Sequence, residues 1–185
     1  KYYPKKNKII GSLRYDLLNI NKKNKNKIKK NKRTILICST IGDEDILIEY
    51  LKKCNLKNVR TILSPHPVIK KKTIEKFNRR FENKINFEVF DNLSSHELIH
   101  YSDLVIGGFS SLVLESLIYQ KPAVRVIHPE HPYFFDLHDG TKIIKSWKEL
   151  DVFINNNKKN IKNNKFKKII NNIFYKLDNK SCMRF

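Results

Sequence analysis

Two short stretches hold side chains that could do chemistry together. The first is Leu63-Ser64-Pro65-His66-Pro67, in which a histidine sits between two prolines. Proline fixes its own φ and restricts the residue before it, so this imidazole is aimed rather than left to wander. The second is Gly107-Gly108-Phe109-Ser110-Ser111, with Glu115 one helical turn further on. Glycines let a ligand approach the backbone closely. A helix that opens at a serine pair presents unpaired N–H groups and the positive end of its dipole, which together suit a phosphate. On the bland reading, Ser110 or Ser111 caps a helix and the glycines turn the chain. The histidine loop favours a shared phosphate site, formed by Ser64, His66 and Pro67 together with Gly107, Gly108, Ser110 and Ser111.

Both stretches need strands to carry them. Residues 59–63 form an apolar run ahead of His66, and 103–106 form another ahead of Gly107, followed by a helical pattern over 112–119 and a strand over 123–127 opened by Pro122. Upstream, residues 34–39 (TILICS) predict a strand. An amphipathic helix follows over 45–53, where Asp43 or Glu44 suits the dipole of the first turn. A basic helix over 70–81 carries Ile74, Phe77 and Phe81 on one face, and 85–90 reads as a third strand. Ser94-Ser95-His96-Glu97 opens a short helix with a capping-box pattern, 141–145 is an edge strand, and Ser146 caps a helix over 147–154. Strands alternating with helices predict an α/β fold: a Rossmann-like, doubly wound parallel sheet covered on both faces. Ligands of such sheets bind beyond the carboxyl ends of the strands.

Composition bounds the rest. The 185 residues suffice for one well-buried domain with tails, divided into a basic segment over 1–32, the α/β domain over 33–154, and a Lys/Asn linker with an amphipathic helix over 155–185. The run 21–33 is almost without apolar content and reads as solvated linker. The stripe Phe166, Ile169, Ile170, Ile173, Phe174 and Leu177 reads as core or interdomain packing. A net charge of +20 invites a nucleic-acid partner, but the excess is lysine accompanied by Asn and Ile, and the Arg that reads bases is sparse. No specific nucleic-acid partner is expected, whereas attraction to an anionic membrane surface or polysaccharide fits. Three cysteines without metal-ligand spacing suit a reduced, cytoplasmic setting, peripheral at most to the inner membrane face. The histidine-rich stretch 128–140 matches no zinc spacing and reads as a loop at the ligand-facing edge; no metal and no cofactor are expected.

The order of these motifs resembles a known group. A His-Pro loop after an early strand, then SD-x-x-IGG-x-SS-x-x-x-E ahead of a K-P-A-V strand, is similar to the C-terminal, nucleotide-binding half of GT-B glycosyltransferases. Within that fold it looks most like bacterial surface-carbohydrate enzymes related to sialyltransferases, polysialyltransferases, capsule Kdo transferases and glycerophosphotransferases. Those groups share an HP and a Ser-Ser motif. The resemblance covers about residues 33–154. Those groups use cytidine-nucleotide donors, and the resemblance implies a nucleotide-sugar donor, CMP- or UDP-linked, and a carbohydrate acceptor. It further implies that His66 contacts the donor phosphate, that Ser110 and Ser111 bind it, and that Glu115 lies against the ribose. Charge left on the departing nucleotide would be stabilised by N–H donors and an imidazolium without a metal.

The related sialyltransferases carry an acidic general base in an N-terminal half that has no room ahead of Thr34, and Gly42-Asp43-Glu44 is not the acidic-acidic-glycine order. The chain therefore reads as a donor-binding half whose acceptor domain is missing. Two alternatives stand beside it: a sugar-nucleotide epimerase on the same fold, and a non-catalytic basic domain holding anionic polymer.

Overall fold

A computed structural model describes residues 15, 32–82, 84–128, 141–156, 170 and 180–184. Six strands form one sheet, β1 (Arg33–Ser39), β2 (Val59–Pro65), β3 (Phe87–Glu88), β4 (Leu104–Gly107), β5 (Ala123–Val126) and β6 (Lys142–Ile144), in the order β3-β2-β1-β4-β5-β6. Every neighbouring pair is parallel. This is the doubly wound Rossmann-like arrangement expected from the alternation of elements, and its strand order reverses between β1 and β4.

Side chains alternate across the pleat, so each strand feeds two cores. Ile35, Ile37, Leu63, Leu104, Ile106, Val124 and Val126 point to one face and meet Leu47 and Leu51 of α1 (Glu44–Lys53), Phe77 of α2 (Lys70–Arg80), and Leu150 and Ile154 of α5 (Trp147–Asn156). Leu36, Cys38, Ile62 and Val105 point to the other and meet Leu98 and Ile99 of α3 (Ser95–Tyr101) and Val113 of α4 (Ser111–Glu115). Burial of this apolar surface, worth about 25 cal/mol per Å2, is what holds helices to both faces.

Several boundaries differ from expectation. The third strand shrinks from six residues to Phe87–Glu88, because only Thr61↔Phe87 and Ile62↔Glu88 pair at this edge. Phe87 is kept by its ring contacts with Phe77 and Phe81. The helix expected over 112–119 stops at Glu115. Turns follow it and close in a Schellman arrangement, with Gln120 at φ 56, its N–H on Leu117 O and the Lys121 N–H on Ser116 O. Ser94 makes the expected capping box with Glu97, and the Ser146 Oγ accepts from the Glu149 N–H. The loop at 129–140, the segment 1–31 apart from Tyr15, and the linker after residue 156 lie outside the described residues. So does the stripe at 166–177 except Ile170, which packs against the α3/α4 core. Among the described residues no helix is long and apolar enough to cross a membrane.

Candidate functional site

The candidate residues gather at the carboxyl edge of the sheet, around the point where its strand order reverses. β1 ends at Ser39 opposite Pro65 of β2, and its Cys38 lies opposite Gly107 of β4. The His66 loop and the Gly107–Ser111 turn therefore leave the sheet on either side of β1. Their strands stand two interstrand spacings, about 10 Å, apart. Helices diverging from such a reversal leave a crevice.

The turn after β4 is held by a residue that the local pattern assigned to a helix dipole. Asp43 is fully buried at the start of α1, and it makes no side-chain cap to its own helix. Its Oδ2 accepts from the backbone N–H groups of Gly108 (3.2 Å) and Phe109 (3.0 Å). Its Oδ1 accepts from Thr40 N–H (2.8 Å) and Ser39 Oγ (3.3 Å). One carboxylate thus ties the end of β1 to the end of β4. Burial pushes its pKa up to about 6 against the pull of these donors. The glycines have the same origin. A Cβ on Gly108 would lie 2.8 Å from Asp43 Oδ2, and one on Gly107 would lie 2.6 Å from the Cys38 carbonyl oxygen and 2.7 Å from Val113 Cγ2. The close approach that requires glycine here is made by the protein itself.

Arg125, buried within β5, holds the turn from the other side. Its Nη1 donates to the carbonyls of Gly108 (2.7 Å) and Ser110 (3.2 Å). With their carbonyls bound to a guanidinium and their amides to a carboxylate, Gly108 and its neighbours have little freedom to move. Ser110 then acts as the cap of α4, its Oγ accepting from Leu112 N–H at 3.3 Å. Ser111 is exposed at the first helical position, and among the described residues no partner bonds its hydroxyl. The two serines have separate tasks: Ser110 shapes the turn and Ser111 faces outward.

His66 is half-buried at the mouth of β2 and caps a single 3-10 turn, Pro67–Ile69. Its Nδ1 accepts from Val68 N–H at 3.3 Å, which leaves Nε2 as the nitrogen that carries a proton in the neutral ring. That is the nitrogen able to donate to a phosphate oxygen. Behind the loop, Ser64 Oγ meets Ser95 Oγ at 3.2 Å, so the β2 end is joined to the start of α3.

The next residue of α3, His96, reaches across to α4. Its Nε2 lies 2.7 Å from Oε2 of Glu115, whose side chain has no solvent exposure, while 30% of the His96 side chain is exposed. The imidazole stacks on Tyr119 with ring centroids 6.3 Å apart. Glu115 is thereby placed inside the protein, with His96 between it and solvent. Burial first, then the nearby Asp43 and Glu115 carboxylates, raise the Cys38 thiol far above its ordinary pKa, so Cys38 is inert packing in β1.

Local pattern singles out neither Asp43, Arg125 nor His96 for the site. A signal exists for Arg125, a charge in the middle of the apolar strand AVRV, which burial can tolerate only with partners. Asp43 bonds residues 65 and 66 positions downstream, and His96 bonds one 19 positions downstream, separations at which no local periodicity reports.

No protein-family model matches the chain, and no curated protein is similar enough in sequence to count as a relative. Solved structures are similar in fold. The crystal structure of Anabaena Alr3699/HepE in complex with UDP-glucose superposes with a TM-score of 0.51 at 19% identity, over 84% of this chain and 45% of that one. Methanocaldococcus jannaschii UDP-GlcNAc 2-epimerase in complex with UDP-GlcNAc and UDP gives 0.51 at 17% identity, over 91% and 54%. Thermosulfurimonas dismutans KpsC, a beta Kdo 2,7 transferase, gives 0.46 at 19% identity, over 90% and 53%. The chain spans about half the length of these structures. At such identities the likeness is one of architecture: a Rossmann-like α/β domain of the kind found in proteins crystallised with UDP and UDP-sugars.

Proposed function

We propose that this chain is the donor-binding half of a glycosyltransferase of bacterial surface polysaccharide synthesis, holding a nucleotide-sugar at the carboxyl edge between β1 and β4. The observation that carries the reading is the placement of the His66 loop and the rigid Gly107–Ser111 turn on either side of β1 at the carboxyl edge, where the strand order reverses. In this reading the exposed Ser111 hydroxyl receives a donor phosphate, and His66 Nε2–H donates to it as the nucleotide departs. Asp43 and Arg125 hold the turn in place, so no reorganisation is needed when charge develops. A fixed donor of this type typically contributes about 3 kcal/mol to lowering the barrier. Two neighbours in fold hold uridine nucleotides, which favours UDP over CMP as the leaving group. Ile41 and Val68 are exposed apolar side chains on the loops after β1 and β2, and they support a second, acceptor-binding domain facing this edge.

A thermal-shift titration with UDP, UMP, CMP and ADP tests the reading, repeated with His66→Ala and Ser111→Ala. A nucleotide at a hundred times its dissociation constant should add about 2.7 kcal/mol of stability, and both substitutions should remove that gain. Absence of a shift with all four nucleotides would overturn it. The epimerase reading is favoured by the likeness to the UDP-GlcNAc 2-epimerase; conversion of UDP-GlcNAc to a second UDP-sugar, followed by NMR, would select it over transfer.

A further inference from the structure

An open concavity lined by described residues lies on the other edge of the sheet. It encloses about 880 Å3 between the end of α1, the starts of β2 and β3, and the approach to β1. Five cationic side chains line it, Lys32, Lys53, Lys57, Arg60 and Lys84, against the single carboxylate of Glu88. Arg60 is matched to that carboxylate through Nε and Nη2, so the four lysines are left as a surplus. Lys53 and Lys84 also reach Glu49 and Glu82, which lie outside the cavity wall, but these pairs are exposed and weak enough to be exchanged for a ligand. Lys32, the last lysine of the basic run at 21–33, is part of this wall.

The rest of the lining separates the anions that could fill it. Asn55 and Asn86 offer amides that bond hydroxyls, and Leu56 and Ile85 offer apolar surface for C–H faces. Among the described residues no aromatic side chain lines it, so these residues supply no platform of the kind on which single-stranded nucleic acids stack. Lysines are point charges rather than the planar forks that clasp one phosphate in two bonds, and they suit charge spread along a chain. We infer that the amino edge is a second binding site, for an anionic oligosaccharide, with the lysines on its acidic groups and the asparagines on its hydroxyls. This site is independent of the nucleotide seat, which lies across the sheet.

Microscale thermophoresis of the full chain with tetragalacturonate at low salt tests the assignment, with neutral maltotetraose, a ten-residue oligothymidylate and phosphatidylglycerol vesicles as the other arms. The double variant Lys57→Glu/Lys84→Glu changes two cavity lysines. Lys71→Glu/Lys72→Glu makes the same change in net charge on exposed residues at the start of α2, at the opposite edge of the sheet. The cavity variant should weaken tetragalacturonate binding about ten-fold and the control less than about two-fold, with saturating UDP leaving both unchanged. Thermal melts of both variants establish that each is folded. Equal weakening by the two variants would overturn the site in favour of general charge attraction. Tighter binding of the oligothymidylate or the vesicles than of tetragalacturonate would overturn the ligand class, and competition by UDP would overturn the separation of the two edges.

Discussion

The two edges of the sheet are built in opposite ways. At the carboxyl edge the charged groups are buried and bonded to backbone or to each other: Asp43 to the amides of Gly108 and Phe109, Arg125 to the carbonyls of Gly108 and Ser110, Glu115 to His96. At the amino edge the four cavity lysines are exposed, and Lys53 and Lys84 pair with other surface side chains. The first arrangement fixes the backbone of one turn in a single geometry. The second leaves rotamers free and supplies charge without direction. The same net charge therefore has two meanings in one domain: buried groups that fix a turn at the carboxyl edge, and adaptable surface charge around the cavity at the amino edge.

That contrast predicts unequal consequences for substitution. The largest is expected at Gly107, where the atom that a Cβ would strike, at 2.6 Å, is the backbone oxygen of Cys38 in the central strand. Neither strand can move without breaking the β1–β4 ladder, so Gly107→Ala should cost about 3 kcal/mol in urea unfolding. Asp43→Asn is next. Whichever way the amide turns, its NH2 faces two donors where a carboxylate oxygen had accepted from them. The lost acceptors outweigh the relief of removing a buried charge, and a cost of about 2 kcal/mol is expected, together with loss of any nucleotide-induced shift. A neutral result for either variant would mean that the turn is not rigid, and the comparison with the amino edge would fail.

Asp43 also carries a pH signature. Its folded pKa is raised to about 6, chiefly by burial, above an ordinary value of 3.8. Between those values the folded state binds a proton that the unfolded chain has released, so this group makes stability fall as pH rises from about 4 to 6. The penalty is present in full above that window and is relieved below it. The difference in unfolding free energy between wild type and Asp43→Asn should therefore drift by on the order of 2 kcal/mol across the window and stay flat above pH 7. Chemical denaturation of the pair at four pH values measures it, and a drift of the opposite sign would show that the hydrogen bonds to the carboxylate win over burial.

Much of the architecture is legible from local pattern. TILICS and VRTILSP are short β-branched runs, and the apolar faces of α1 and α2 recur at helical spacing, so the alternation that produces a parallel sheet is visible in the order of residue types alone. The shortened α4 is not, because its stop depends on Gln120 entering the left-handed region, a conformation with no reliable glutamine signature. Within the site, the loop positions of His66, Gly107 and Ser110 follow from residue type. Asp43 does not, since an acid at a helix start has an adequate local explanation and its real partners come from another strand. The glycines are legible as a place of close approach, but what approaches is Asp43 and Cys38. Local chemistry marks where the backbone is special; which group exploits it is decided by topology.

The smallest effect tests the other half of the comparison. Arg60 and Glu88 form a bidentate pair at the amino edge, with side chains 23% and 31% exposed and the guanidinium 5.8 Å from the Phe90 ring. It is the best-ordered charge pair at that edge, so it is the fairest rival to Asp43. Because both groups keep access to water, a double-mutant cycle with Arg60→Met and Glu88→Gln should give a coupling of no more than about 1 kcal/mol, shrinking further in about 0.5 M salt. A coupling of about 2 kcal/mol or more that survives salt would mean that the amino edge, too, is held by a pre-set polar framework. Its lysines would then have to be read as a shaped site rather than as adaptable charge, and that edge would no longer be expected to tolerate substitution.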